Sequence, residues 1–156
     1  MTVSPRKTIL IVACGAAVLL ISIGTRSSFG LYLAPISADL GRGRETFAFA
    51  IALQNLVWGL AQPFVGAVAD RYGPGKVLAA SACVLSLGLY LMANSAGPTQ
   101  ITLSTGVVVG IGLSGTGFPI ILAVIGHNVT PSRRSIFMGL ASAGASAGQL
   151  LLVPMA

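Results

Sequence analysis

Acids are almost missing from this chain of 156 residues: Asp39, Glu45 and Asp70 are the only three. Charged residues of both signs reach 8%, against roughly a quarter in ordinary soluble domains. Aromatics make up only 6%, with a single tryptophan, and there is one histidine. A soluble core of this length needs more polar surface than that, so a water-soluble globular domain is excluded. The two cysteines, Cys14 and Cys83, both sit inside apolar blocks. Their spacing gives neither a disulfide framework nor a metal site, and they are expected to be buried small hydrophobes. No nucleotide-binding loop is present, which excludes direct drive by ATP. No acid falls within an apolar block, so an intramembrane carboxylate to carry protons is absent too.

What the chain has in abundance is apolar sequence. Hydrophobic residues reach 54% and the mean hydropathy is +0.90. They come in blocks of about 20, the length at which a helix rising 1.5 Å per residue crosses a hydrocarbon slab of ~30 Å. Five such segments are expected, at about 9–36, 47–69, 77–94, 101–125 and 135–156. The first is interrupted by Thr25-Arg26-Ser27-Ser28. Runs such as Val77-Leu78-Ala79-Ala80 lack the two-residue alternation of a membrane barrel. A continuous apolar block in lipid must pair its own amides, and a helix does so. The expected fold class is therefore an all-α membrane protein of about five transmembrane helices. Arg6 and Lys7 before Ile9, with Ser22 and Gly24 beyond, imitate a signal peptide. The apolar run resumes at Phe29 and continues to Ile36, too long for a 7–15-residue signal core, so the first helix is expected to stay.

The net charge of +6 does not point to nucleic acid. The basic residues stand singly or in pairs, without the basic stripe and interleaved aromatics such binding requires. They follow a topology bias instead. With the N-terminus inside, Arg6, Lys7, Arg71, Lys76, Arg133 and Arg134 lie inside, and only Arg42 and Arg44 outside. By the positive-inside rule the N-terminus is expected to be cytoplasmic, the protein multi-pass in the cell's inner membrane, and the fifth helix outward-bound.

Small residues cluster late in the chain. Gly106, Gly110, Gly112, Gly115 and Gly117 lie in the fourth segment, and Gly144 and Gly148 form a small-x-x-x-small pair in the fifth. They let helix backbones approach closely, either for tight packing alone or so that these helices can slide.

The link Gly66-Ala67-Val68-Ala69-Asp70-Arg71-Tyr72-Gly73-Pro74-Gly75-Lys76 places two opposite charges and three glycines between two apolar segments. It must turn at a membrane surface. Its G-x-x-x-D-R-x-G pattern resembles the loop between helices two and three of major facilitator transporters. The family usually has basic residues directly after the second glycine; here Pro74 and Gly75 stand there and Lys76 follows one position late. Arg26-Ser27-Ser28-Phe29-Gly30, Gly110-x-Gly112 and Pro131-Ser132-Arg133-Arg134-Ser135 are similar to the branch holding monocarboxylate and oxalate/formate-type carriers. So are Met138-Gly139-Leu140-Ala141-Ser142-Ala143-Gly144 and Leu152-Val153-Pro154. The resemblance implies two six-helix halves around a pathway with one alternately exposed midplane site. Five helices are then the N-terminal part of one six-helix half. The chain is expected to be an incomplete N-terminal fragment whose partners are the lipid bilayer, a small-molecule substrate and the missing C-terminal half. Neither a cofactor nor nucleic acid is expected.

Arg26 is the one charge inside an apolar block, ~26 Å along a helix starting at Ile9. It either snorkels to the outer interface from a span ending near Gly24, or faces a water-filled cavity on a helix running to about Leu33. A charge at membrane depth costs ~2.5–3.5 kcal/mol on insertion scales. None of the three acids lies in a membrane segment, so a substrate anion supplies the negative charge, and a guanidinium grips a carboxylate with two parallel hydrogen bonds. The cavity reading, with Arg26 binding an organic anion such as a monocarboxylate, is the one expected. Gln54, Trp58 and Gln62 share one face of the second helix; Asn55, Gly59 and Gly66 share a neighbouring face. These polar groups serve helix-to-helix hydrogen bonding or, for Asn55 and Gln62, substrate contact along the pathway. Asp70 and Arg71 are either an ordinary solvated turn or, as the family implies, part of a conformational gate with Gly66, Gly73 and Lys76. In that gate the Asp accepts hydrogen bonds from a helix N-terminus of the other half. Tyr32 and Tyr90 are candidate interface anchors, and His127 is a surface histidine.

An enzyme is not expected. Gly112-Leu113-Ser114-Gly115 has the form seen in rhomboid-type intramembrane proteases, which need a histidine from a different helix beside the serine. His127 follows in the same segment, ~20 Å along a helix. The function expected is secondary active transport by alternating access. A small oligomeric membrane protein, compact exporter or structural partner, is the alternative.

Overall fold

The computed structural model describes the backbone of residues 5–39 and 45–155, with side chains for 8–31 and 45–155. Arg42 and Arg44 lie outside the described residues, as do the side chains of Arg6, Lys7, Tyr32 and Leu33. Helix α1 covers Pro5–Asp39, α2 Glu45–Tyr72 and α3 Pro74–Ala93. Helix α4 covers Pro98–Asn128 and α5 Pro131–Leu152. Five helices are long and apolar enough to cross a membrane, and no strand occurs among the described residues. The chain is thus an all-α membrane protein of the expected class.

Every helix starts before the apolar segment that announces it, and α1, α2 and α4 also run past its end, whereas α3 stops at Ala93 and α5 at Leu152, inside theirs. Hydropathy marks only the part that lies in hydrocarbon, whereas the backbone ladder continues until something stops it. Proline sets several of the starts. Pro74, Pro98 and Pro131 each open a helical element, where an amide without a partner is the rule and proline has none to lose.

Helix α4 is not uniform. Its first turn, Pro98–Ile101, leads into a wide π-helical stretch, Thr102–Val108, and α-helix resumes at Val109–Thr116. Gly117 is extended (φ −85°, ψ 178°), and the helix restarts as Phe118–Asn128. Pro119 explains the break, since its ring collides with the carbonyl four residues back and its nitrogen donates nothing.

The described residues form two compact units, one up to Phe29 together with Thr116 onward, the other Gly30–Gly115. In the first, α1 and α5 lie backbone to backbone. A Cβ built on Gly144 would stand 2.6 Å from the Ala16 carbonyl oxygen, and one on Gly148 would overlap the Leu20 carbonyl oxygen. Four residues on, Gly24 meets Gly148 and Leu152. Contact numbers rise together on both helices, so α1 and α5 run parallel, as the first and fifth of five successive crossings must. Gly15 makes room for Ile121 and Ile125 of α4, with a Cβ there 2.9 Å from Ile121 Cγ2.

In the second unit the early half of α4 is wedged between α2 and α3. Gly106 faces Ala50 and Leu53, and Gly110 faces Gln54 and Val57. On the other side Gly112 meets the Leu85 backbone, with a Cβ 2.6 Å from its nitrogen, and Gly115 would overlap Ser81 Oγ. Gly88 of α3 returns the contact against Val108 and Val109. The glycines of α4 are therefore packing surfaces.

Large apolar side chains line the outside, among them Phe49, Leu60, Phe64, Leu103 and Leu150. In water such a surface would aggregate; in lipid it is solvated. Cys14 and Cys83 belong to this outer surface, contrary to the expectation that they are buried. Lipid is as apolar as the bundle interior, so a cysteine's preference for oil does not choose between them.

Candidate functional site

Arg26 lies inside the apolar span Thr8–Leu31, on a helix that continues beyond it to Asp39. Helix α1 is unbroken on both sides of it, and the side chain is half-buried. Its neighbours turn inward onto their own helix. Ser27 Oγ donates to the Ile23 carbonyl at 2.9 Å, and Ser28 Oγ to the Gly24 carbonyl at 3.2 Å. Ser28 Oγ also lies 3.5 Å from the Leu152 carbonyl of α5. The small residues Gly24 and Ser28 thus dock α1 on α5, and Arg26, two positions from each, lies on a different face of α1 at about 100° per residue.

Asn55 and Gln62 belong to the second unit, and Arg26 to the first. Asn55 is exposed on α2, its Nδ2 donating to the Ile51 carbonyl at 2.9 Å. Gln62 is half-buried one further stretch along the same helix. Gly59 and Gly66 have open space where a Cβ would stand. This polar, small-residue face of α2 is uncovered among the described residues. Gln54, one residue from Asn55, is 1% exposed, and its Nε2 has no hydrogen-bond partner among the described residues. The helix-bonding role considered for it is not what the structure displays.

The turn after α2 is tighter than its sequence suggests. Helix α2 continues through Tyr72 and α3 begins at Pro74, so Gly73 alone joins them. Its φ of +92° is the only positive value among the described residues. The Gly73 amide donates to the Ala69 carbonyl at 2.9 Å, and Val77 N–H reaches the Gly73 carbonyl at 3.5 Å. Asp70, Arg71 and Lys76 are all exposed here. The Arg71 guanidinium carbon stands 5.5 Å from the Tyr72 ring centroid, a cation–π distance. Asp70 occupies the last turn of α2, the negative end of the helix, where a carboxylate is disfavoured by about 0.3–1 kcal/mol. The helix gains nothing from it there, so its position asks for another explanation.

Two features escaped the sequence reading. One is the π-helical stretch of α4; the other is Thr105, which is 0% exposed with an unpartnered Oγ1. The run Thr102-Leu103-Ser104-Thr105-Gly106, three hydroxyls crowded before a glycine, is the signal that was available. Ser114, in the protease-like tetrapeptide, donates to its own helix at the Ile111 carbonyl, 2.6 Å away.

A bundle of apolar helices joined by short polar turns defines a multi-pass membrane protein. Residues 14–156 match the Major Facilitator Superfamily, and the chain belongs to that superfamily of transporters. It is 27% identical over 118 residues to YhjX, an uncharacterized MFS-type transporter of Escherichia coli strain K12, covering 76% of this chain and 29% of the relative. It is 25% identical over 147 residues to an MFS-type transporter of Aspergillus fumigatus, covering 93% of this chain and 33% of that one. The chain thus spans about a third of the length of these curated relatives.

Proposed function

We propose that this chain serves secondary active transport of a small organic anion, such as a monocarboxylate, by alternating access. The observation that carries the reading is a half-buried arginine on an unbroken helix, inside an apolar span of a chain from a transporter superfamily. A guanidinium at that depth favours an anionic partner, and a carboxylate meets its two-pronged geometry. Asn55 and Gln62, polar residues within the apolar span of α2, are the candidate solute contacts of the second unit taken by itself. The likeness of the Arg26–Gly30 and Pro131–Ser135 stretches to monocarboxylate and oxalate/formate-type carriers supports the same solute class.

In this reading the Gly66–Lys76 turn is the gate. Gly73 fixes a one-residue elbow, Arg71 and Lys76 keep it at a surface rich in positive charge, and Asp70 is free to accept hydrogen bonds from a helix N-terminus of a second half. Such a bond is worth about 0.3–1 kcal/mol, up to ~2 when partly buried, enough to bias states a few kcal/mol apart. The N-terminus is cytoplasmic and the membrane is the inner one. The partners are the bilayer, the solute and the second half of the carrier.

The test is counterflow of labelled monocarboxylates into proteoliposomes carrying the carrier. Arg26→Lys keeps the charge and loses the paired geometry, so carboxylate counterflow should fall while membrane insertion is retained. Counterflow equal to that of the unmodified protein would defeat the anion assignment.

A further inference from the structure

The π-helical stretch of α4 and the stranded hydroxyl of Thr105 have a common cause. Val109 N–H donates to the Ser104 carbonyl, five residues back rather than four. An α-helical ladder resumed at Gly110 runs to the Gly106 carbonyl, so the Thr105 carbonyl is passed over. A threonine in a membrane helix ordinarily returns its hydroxyl to the carbonyl four residues back. Thr102 does so, bonding the Pro98 carbonyl at 2.8 Å. For Thr105 that acceptor is Ile101, but Ser104 Oγ holds the Ile101 carbonyl at 3.3 Å. The widened turn therefore leaves Thr105, fully buried, with a hydroxyl that has no partner among the described residues.

Ser104 has a second acceptor to go to. Its Oγ lies 3.3 Å from Ser95 Oγ, and Ser95 gives its own proton to the Leu91 carbonyl at 2.7 Å. Ser104 can thus donate to Ser95 and release Ile101. We propose that Thr102–Val108 is a two-state element in which Ser104 and Thr105 exchange on the Ile101 carbonyl. In the π state Ser104 holds it. In the α state Thr105 holds it, and Val109 N–H moves back to the Thr105 carbonyl.

The surroundings decide which part moves. Past the turn, Gly112 and Gly115 are locked against α3 with no room for a methyl group, and Gly110 packs closely on Gln54 and Val57 of α2. The π stretch itself is packed as well, Gly106 facing Ala50 and Leu53 of α2; the first turn before it is held by the Ser95–Ser104 pair and by Ala96 N–H donating to Gln100 Oε1 in an exposed link. Closing π to α shifts the register by one residue, a rotation of about 100° at 3.6 residues per turn. The end of α4 bearing Pro98–Leu103 therefore turns, and the glycine-locked part stays. Ile101, buried in the π state, keeps that state the more populated one. Single π-turns inside α-helices occur frequently at functional sites.

The test reads Leu103, which is exposed in the π state. Cys14 and Cys83, both exposed, are replaced by alanine, and a nitroxide is attached at Leu103→Cys in the whole chain in lipid nanodiscs. Ile111→Cys, beyond the turn, is the reference. Leu103 should give two spectral components, mobile and immobilised. Thr105→Val removes the bond only the α state has, so the immobilised component should shrink roughly 2- to 12-fold. Thr105→Ser should restore it, and the Ile111 spectrum should not change. One component at Leu103 in every variant would overturn the proposal. So would equal changes at Leu103 and Ile111, which would signal loosening of the whole helix. No transported solute is needed, so this outcome is independent of the anion reading.

Discussion

Gly66 and Gly73 belong to one sequence pattern, yet the structure assigns them opposite responses to the same substitution. Gly73 is the sole link between α2 and α3, at φ +92° and ψ 137°. A Cβ there would meet nothing within 4 Å, so the whole penalty of Gly73→Ala is backbone strain. Holding an L residue in that region costs of order 1–3 kcal/mol. Relaxing the strain instead would sacrifice the Gly73-to-Ala69 hydrogen bond at 2.9 Å. Gly66 also has nothing within 4 Å of a Cβ, and no positive φ. It lies inside α2, where alanine is favoured over glycine by roughly 0.5–1 kcal/mol. The two single variants should therefore differ by about 1.5–4 kcal/mol, with Gly73→Ala below the parent and Gly66→Ala above it. Unfolding in SDS–detergent mixtures, followed by circular dichroism on the same chain in matched micelles, measures both. If Gly73→Ala is as stable as the parent, the one-residue elbow is wrong. If Gly66→Ala also loses stability, the open space beside α2 is wrong.

Other outcomes follow from the same geometry. Gly148→Ala drives a methyl group into the Leu20 carbonyl and should cost about 1–3 kcal/mol as overpacking. Gly139→Ala on the same helix has nothing within 4 Å and should be neutral or slightly stabilising in the same unfolding assay. Asp70→Asn should change the ratio of inward- to outward-accessible carrier, measured by alkylation of cysteines placed on either side; identical labelling would defeat the gate role of Asp70. Single cysteines at Tyr72 and Gly97 flank α3 and should be labelled from opposite sides of the membrane by an impermeant maleimide. Labelling of both from one side would contradict the crossing of α3.

The five helices were legible because lipid imposes one rule on every residue of a span: the backbone must pair with itself and the side chains must be apolar. That rule speaks of length and says little about faces. Cys14 and Cys83 show the limit, since an outer position against lipid and an inner one against Leu read alike. The elbow was legible as a turn from its charges, while its single-residue length was not. Polar residues such as Asp70 and Arg71 end the hydrocarbon zone, but they do not end a helix, and α2 runs on through both to Tyr72.

Glycines were legible as close contacts and mute about their partners. Gly144 and Gly148 find α1, whereas Gly106 and Gly110 find α2, a choice made by packing across residues far apart in the chain. Arg26 stood out because charge in an apolar block is expensive, and that signal needs no structure. Thr105 did not stand out, because a threonine inside a helix normally satisfies itself four residues back. Only the count of hydrogen bonds through the widened turn exposes it as unpaired. The residue proposed to bind is thus announced by its cost in lipid, whereas the element proposed to move is announced by a ladder that fails to close.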